Sequence, residues 1–95
     1  MGVYIYKIVP VRPSFVTDAT PQEQAVMGEH FAYLKGLLRE GRLLLAGRTE
    51  EATYGIVIFE ADSIEAARTL MEGDPAVAEG IMRAELNLFR LALSR

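Results

Sequence analysis

Hydrophobic positions recur along this chain with two different periods, and the switches between them mark out its elements. Val3 to Val9 (VYIYKIV) is rich in β-branched and aromatic residues and predicts a strand. Val3, Ile5, Lys7 and Val9 fall on one face of it and Tyr4, Tyr6 and Ile8 on the other, so both faces are largely apolar. Pro10 and Pro13 end the strand. Pro10 to Ala19 (PVRPSFVTDA) reads as a loop, longer than most connections in a small domain and therefore a candidate for function. From Thr20 to Gly41 the period becomes helical. Val26, Met27, His30, Tyr33, Leu34, Leu37 and Leu38 share one broad arc, and the polar and small residues, Glu29, Lys35 and Arg39 among them, share the other. Thr20-Pro21-Gln22-Glu23 is a capping box with proline at the first helical position, and Gly41 is the glycine that follows a helix end.

Arg42 to Ala46 (RLLLA) predicts a second strand, Gly47 to Ala52 a turn, and Thr53 to Glu60 (TYGIVIFE) a third strand, in which Gly55 marks a bulge or a close backbone approach. Asp62-Ser63-Ile64-Glu65 is a second capping signature. It opens a helix to about Glu72 with Ile64, Ala67, Leu70 and Met71 as its apolar stripe. Asp74-Pro75 opens a single helical turn that Gly80 ends, and Ile81 to Leu93 predicts the last strand. The order β-α-β-β-α-β predicts an α+β fold, a ferredoxin-like antiparallel sheet with two helices on one face. Two helices cover only one face of such a sheet, yet its first three strands are apolar on both. A second subunit is therefore expected on the open face, giving a homodimer with sheets packed face to face, a dimeric α+β barrel.

Composition narrows the function classes. A chain of 95 residues predicts one domain spanning 1–95. A formal charge of −3 without a Lys/Arg run argues against nucleic acid. The absence of cysteine removes disulfides, thiolate chemistry and Cys-type zinc sites, and a single histidine cannot build a His-rich metal site, so neither metal nor cofactor is expected. The N-terminus lacks the basic region and cleavage pattern of a signal peptide, and no apolar run is long enough to span a bilayer; no membrane association and a cytoplasmic location are the expectation.

The one histidine, His30, lies inside the apolar arc of the long helix, so a polar ring points at whatever that helix packs against and needs a hydrogen-bond partner there. Three stretches now resemble a known family, the YCII-related (YciI-like) domain. They are the first strand with its trailing VRP at 11–13, the histidine segment GEHFAYLKGLLREGRLLLAG, and EADSIEAARTLMEGDPAVAEGI. The resemblance covers nearly the whole chain. It departs at the turn AGRTEE, where such proteins usually carry Gly-Pro. It implies a ferredoxin-like fold, a homodimer and a His/Asp pair in a cleft, which His30 and Asp74 match here; one relative is described as a dehydrochlorinase of a chlorinated hydroxyquinol.

As a catalytic pair, His30 would be general base or acid and Asp74 would fix its tautomer and stabilise the imidazolium. Each residue also has a plain structural explanation. Asp74 before Pro75 is a normal N-cap for the N–H of Ala76 or Val77, and a histidine on an apolar arc is often a core residue with one satisfied bond. The two roles are compatible, because a capping carboxylate has a second oxygen. Arg12, Arg48 and Tyr6 are candidates for substrate binding, since a guanidinium fork suits a carboxylate or phenolate and a phenol can supply a hydroxyl to a cleft. Three functions follow. The first is a lyase- or isomerase-type enzyme acting on a small phenolic or carbonyl compound. The second is a non-catalytic module that binds a small ligand or assists a larger enzyme, and the third is a monooxygenase of the same barrel architecture.

Overall fold

Four strands, β1 (Gly2–Pro10), β2 (Leu43–Arg48), β3 (Gly55–Ala61) and β4 (Met82–Leu88), form one antiparallel sheet in the order β2-β3-β1-β4. The computed structural model describes residues 2–95. The long helix α2 (Pro21–Arg39) and α3 (Ile64–Glu72) supply the two main crossovers, and two single turns, α1 (Phe15–Asp18) and α4 (Pro75–Ala78), precede α2 and follow α3. This is the ferredoxin-like α+β arrangement that the element order predicts.

Strand pairing sets which side chains meet the helices. Tyr4 pairs with Phe59 and Leu88, Tyr6 with Val57 and Leu86, and Ile8 with Gly55 and Ala84. Because cross-strand partners point the same way, all of these lie on one face. Tyr4, Tyr6, Ile8, Val57 and Phe59 there form the core with Leu34 and Leu37 of α2 and Ala67 and Met71 of α3. Burying each large side chain contributes about 1.5–3 kcal/mol. The opposite face carries Val3, Ile5, Lys7 and Val9 of β1, Ile56, Ile58 and Glu60 of β3 and Leu45 of β2, while β4 adds Arg83, Glu85 and Asn87. No helix covers that apolar patch.

Local chemistry explains the element ends. Both arms of the α2 capping box form: Thr20 Oγ1 accepts from the Glu23 N–H at 3.1 Å, and Glu23 Oε1 accepts from the Thr20 N–H at 2.8 Å. Gly41 follows the helix at φ +76°, a conformation that favours glycine. The second cap falls on Ser63, which accepts from the Ala66 N–H at 3.0 Å. Gly55 is a close approach rather than a bulge: a Cβ there would stand 3.2 Å from the Gly47 carbonyl oxygen and 3.3 Å from Ile8 Cγ1. The irregularity in register lies on the facing strand, between Leu43 and Leu45.

Three expectations need correction. The segment 10–19 is not all loop, since Phe15–Asp18 makes one helical turn. The last strand ends at Leu88, not Leu93: its ladder with β1 runs to the Leu88–Tyr4 pair, the Phe89 N–H still donates to the Val3 carbonyl at 2.8 Å, and the chain then leaves the sheet. Leu38 stands 59% exposed: Leu34 and Leu37 point at the sheet, and Leu38 lies outside the sector between them, about 100° round the helix from Leu37. Among the described residues, no helix is long and apolar enough to cross a membrane, and no group of three or more His, Cys, Asp or Glu is placed to hold a metal ion.

Candidate active site

The site is built where α2 crosses the sheet beside the α3–α4 turn. His30 lies in the middle of α2, four residues before Leu34, so the packing that buries Leu34 also turns the imidazole inward. Asp74 ends the α3–α4 turn as N-cap of α4, with Pro75 at the first helical position. Its carboxylate is fully buried and satisfied from three directions. The Ala76 N–H donates to Oδ1 at 3.0 Å, the Tyr6 hydroxyl donates to Oδ2 at 2.6 Å, and His30 Nδ1 lies 2.8 Å from both oxygens. Asp74 is thus helix cap and histidine partner at once.

Donors on every side satisfy a carboxylate that would otherwise be costly to bury. A carboxylate only accepts, so the hydrogen sits on Nδ1 and the neutral ring keeps its lone pair on Nε2. Nε2 has no hydrogen-bond partner among the described residues. Since no buried side-chain nitrogen or oxygen among the described residues lacks one, Nε2 is open to the cavity that His30 lines. The Tyr6 phenol is driven well above its ordinary range, first by burial and then by the neighbouring carboxylate, and so stays a donor. Burial and then the Asp74 charge push the Tyr33 phenol up as well; its hydroxyl donates to the Leu70 carbonyl at 2.6 Å.

The cavity has a volume of about 770 Å³, within the usual range for small-molecule sites. Ile8, Met27, Leu34, Val57 and Met82 give it apolar walls, Phe15, Val16 and Phe31 stand at its rim, and Arg48, Glu50 and Glu51 close the β2–β3 side. His30 is the titratable group among the apolar walls. Asp74 and Tyr6 do not reach the cavity and stand behind the histidine.

The substrate-binding candidates separate accordingly. Tyr6 is wholly buried, so it touches Asp74 and no ligand; its place on the helix face of the central strand gives its hydroxyl no water to bond. Arg48 lines the cavity, and its guanidinium donates to the carbonyls of Thr49 and Glu50 at 3.0 and 3.1 Å. Arg12 does not line the cavity and is committed elsewhere. It grips Glu23 with two bonds of 2.6 and 3.1 Å, and it donates to the Asp18 carboxylate at 2.7 Å and to Ser14 Oγ at 2.6 Å. The capping-box glutamate therefore also anchors the α1 segment that carries Phe15 and Val16 to the rim. The sequence reading missed this second use of Glu23 and the rim role of Phe31.

The Arg12 cluster predicts a pH dependence. Its guanidinium, with the Thr20 N–H, holds the Glu23 carboxyl down at about 2, and Arg12 and Ser14 hold Asp18 below the usual carboxylate range. A carboxyl depressed in the folded state stabilises fully above its unfolded value, near 4.3, and that contribution fades as pH falls through the folded value. The Glu23 carboxyl carbon should accordingly titrate near pH 2 by NMR. In Arg12→Ala its midpoint should rise towards the ordinary value; an unchanged midpoint would show that the guanidinium does not hold it.

With the geometry described, similarity to known proteins can be placed beside it. The YCII-related domain matches residues 5–89. YjpA, an uncharacterised protein of Bacillus subtilis (strain 168), is 32% identical over 89 residues, which span 94% of this chain and 98% of that protein. Among solved structures, the 5-chloro-2-hydroxyhydroquinone dehydrochlorinase TftG of Burkholderia phenoliruptrix AC1100, in complex with 2,5-dihydroxybenzoquinone, aligns with a TM-score of 0.73 at 18% identity over 95% of each chain. Muconolactone isomerase aligns with a TM-score of 0.74 at 18% identity, over 98% of this chain and 93% of its own. At that identity the two structures speak to the fold. The relationship in sequence goes further: this chain belongs to the YCII-related domain family.

Proposed function

We propose that this protein is a small enzyme of lyase or isomerase type that moves a proton on a phenolic or carbonyl compound. His30 is its catalytic acid–base group, and Asp74 positions and charges the ring. The observation that carries this reading is the 2.8 Å contact of His30 Nδ1 with a fully buried carboxylate while Nε2 opens on an apolar cavity. Nε2 takes a proton from an acidic C–H or O–H of the substrate, and the imidazolium that forms is stabilised across Nδ1–H by Asp74. The electron pair released either expels a leaving group, which is elimination, or is reprotonated by Nε2–H at another atom, which is isomerisation. A dehydrochlorinase and an isomerase among the fold neighbours are in keeping with both outcomes.

The test is a panel of chlorinated and hydroxylated aromatics, lactones and small carbonyl compounds, assayed with wild type and His30→Gln. Turnover of a compound accepted by wild type should fall by roughly 10²–10⁴-fold in the variant. Equal turnover would remove His30 from the chemistry. Binding without turnover by wild type would favour a ligand-binding module.

We also propose that the open sheet face packs against that of a second copy. Val3, Ile5, Val9, Ile56 and Leu45 support this, being an apolar patch on a face that no helix of the chain covers.

A further inference from the structure

Tyr6 is the buried polar group at the site that substrate contact does not explain. Its ring sits edge-on to Phe59 at 5.7 Å between centroids, it is completely inaccessible, and its hydroxyl reaches Asp74 Oδ2 at 2.6 Å. A tyrosine hydroxyl in a protein interior needs a partner, and a backbone carbonyl suffices for the half-buried Tyr33, which donates to Leu70. Tyr6 instead spends its proton on the carboxylate that holds the histidine. The structure assigns Tyr6 as a positioning residue of the His30–Asp74 pair: its hydroxyl takes up part of the Asp74 charge and so limits how tightly the pair holds a proton. This deepens the acid–base role proposed for His30 and rests on it for its catalytic meaning, though not for its physical effect.

The physical reason is a competition for one carboxylate. Asp74 has the Tyr6 O–H and the Ala76 N–H as fixed donors, and Nδ1–H of His30 as the donor whose strength changes with protonation. Each fixed donor lowers the basicity of the oxygens. A buried carboxylate without those donors would concentrate its charge on the Nδ1–H contact and hold the imidazolium proton more tightly. A carboxylate already paid in hydrogen bonds keeps the ring oriented while letting it give the proton up. The other charged or titratable groups facing His30 are more distant influences: Tyr33 on its own helix, and Arg48, Glu50, Glu51 and Tyr54 around the cavity from the β2–β3 side.

The experiment is NMR titration of the His30 ring in wild type, Tyr6→Phe and Tyr33→Phe. Tyr6→Phe should raise the midpoint by about one unit, the scale of a hydrogen bond to a charged group. Tyr33→Phe, which removes a half-buried phenol bonded to backbone and not to the carboxylate, should leave it in place. No shift in Tyr6→Phe, a downward shift, or an equal shift in both variants would overturn the assignment. Should Tyr6→Phe fold poorly, the hydroxyl proton of Tyr6 in wild type gives a second measurement. It should appear as a slowly exchanging downfield signal that moves as His30 titrates, and a signal that stays still would also overturn it. These readouts need no substrate, so they fail separately from the enzymatic role. With a substrate in hand, the acid limb of the kcat/KM profile should move upward in Tyr6→Phe by the same amount as the ring.

Discussion

Replacing Asp74 by asparagine is expected to lower turnover by roughly 10²–10⁴-fold while the protein still folds. The amide can keep the cap by accepting the Ala76 N–H at its oxygen, but its NH₂ then donates where the second carboxylate oxygen accepted. Where His30 Nδ1 faces that donor and not the amide oxygen, it accepts and the ring carries its hydrogen on Nε2, so the lone pair points at Asn and not into the cavity. The base is removed without removing the imidazole. Asp74→Ala behaves differently. It loses the α4 cap, about 0.5–2 kcal/mol, and leaves the Tyr6 hydroxyl and the His30 Nδ1–H without their acceptor, about 1–3 kcal/mol each before relaxation. A loss of about 3 kcal/mol or more is a large part of the 5–15 kcal/mol typical of a domain. Urea midpoints should therefore fall in the order wild type, Asn, Ala. An alanine variant as stable as wild type would mean that the carboxylate does not hold these donors.

A single charge at the centre of the open sheet face should have the second large effect. Ile5 lies between Ile58 on β3 and Asn87 on β4, with Val3 and Lys7 two residues away along its own strand. If two such faces pack together, Ile5→Glu would bury a carboxylate in the interface beside Lys7, at a cost of several kcal/mol unless the two pair. The substitution leaves the helix face and the Tyr6–Asp74–His30 contacts untouched. Light scattering should then report a dimer for wild type and a folded monomer for Ile5→Glu. A wild-type protein that is monomeric at low concentration would refute the face-to-face assembly outright.

The strands, the capping box at Thr20, the N-cap at Asp74 and the glycine stop at Gly41 all come from neighbours within a few residues, so period and local hydrogen bonding suffice to read them. The element order then restricts the topology to a ferredoxin-like sheet. Where the reading slipped, a distant segment was deciding. The last strand stops at Leu88, where its pairing along β1 reaches Tyr4, and the Pro10–Ala19 stretch gains a helical turn beside an Arg12 that reaches forward to Glu23. Arg12 and Tyr6 carry the right chemistry for a ligand, and the fold spends both elsewhere.

What the sequence determined by itself is that His30 must face the core and that Asp74 must cap a helix, since both follow from helical period and turn chemistry. What only the tertiary structure decided is that these two positions, 44 residues apart, meet at 2.8 Å with Tyr6 behind them and a cavity in front. That meeting depends on how α2 and the α3–α4 turn cross β1, which the packing of Leu34, Leu37, Ala67 and Met71 on the sheet sets. No local pattern encodes it, because packing acts through shape and burial between segments that are remote along the chain.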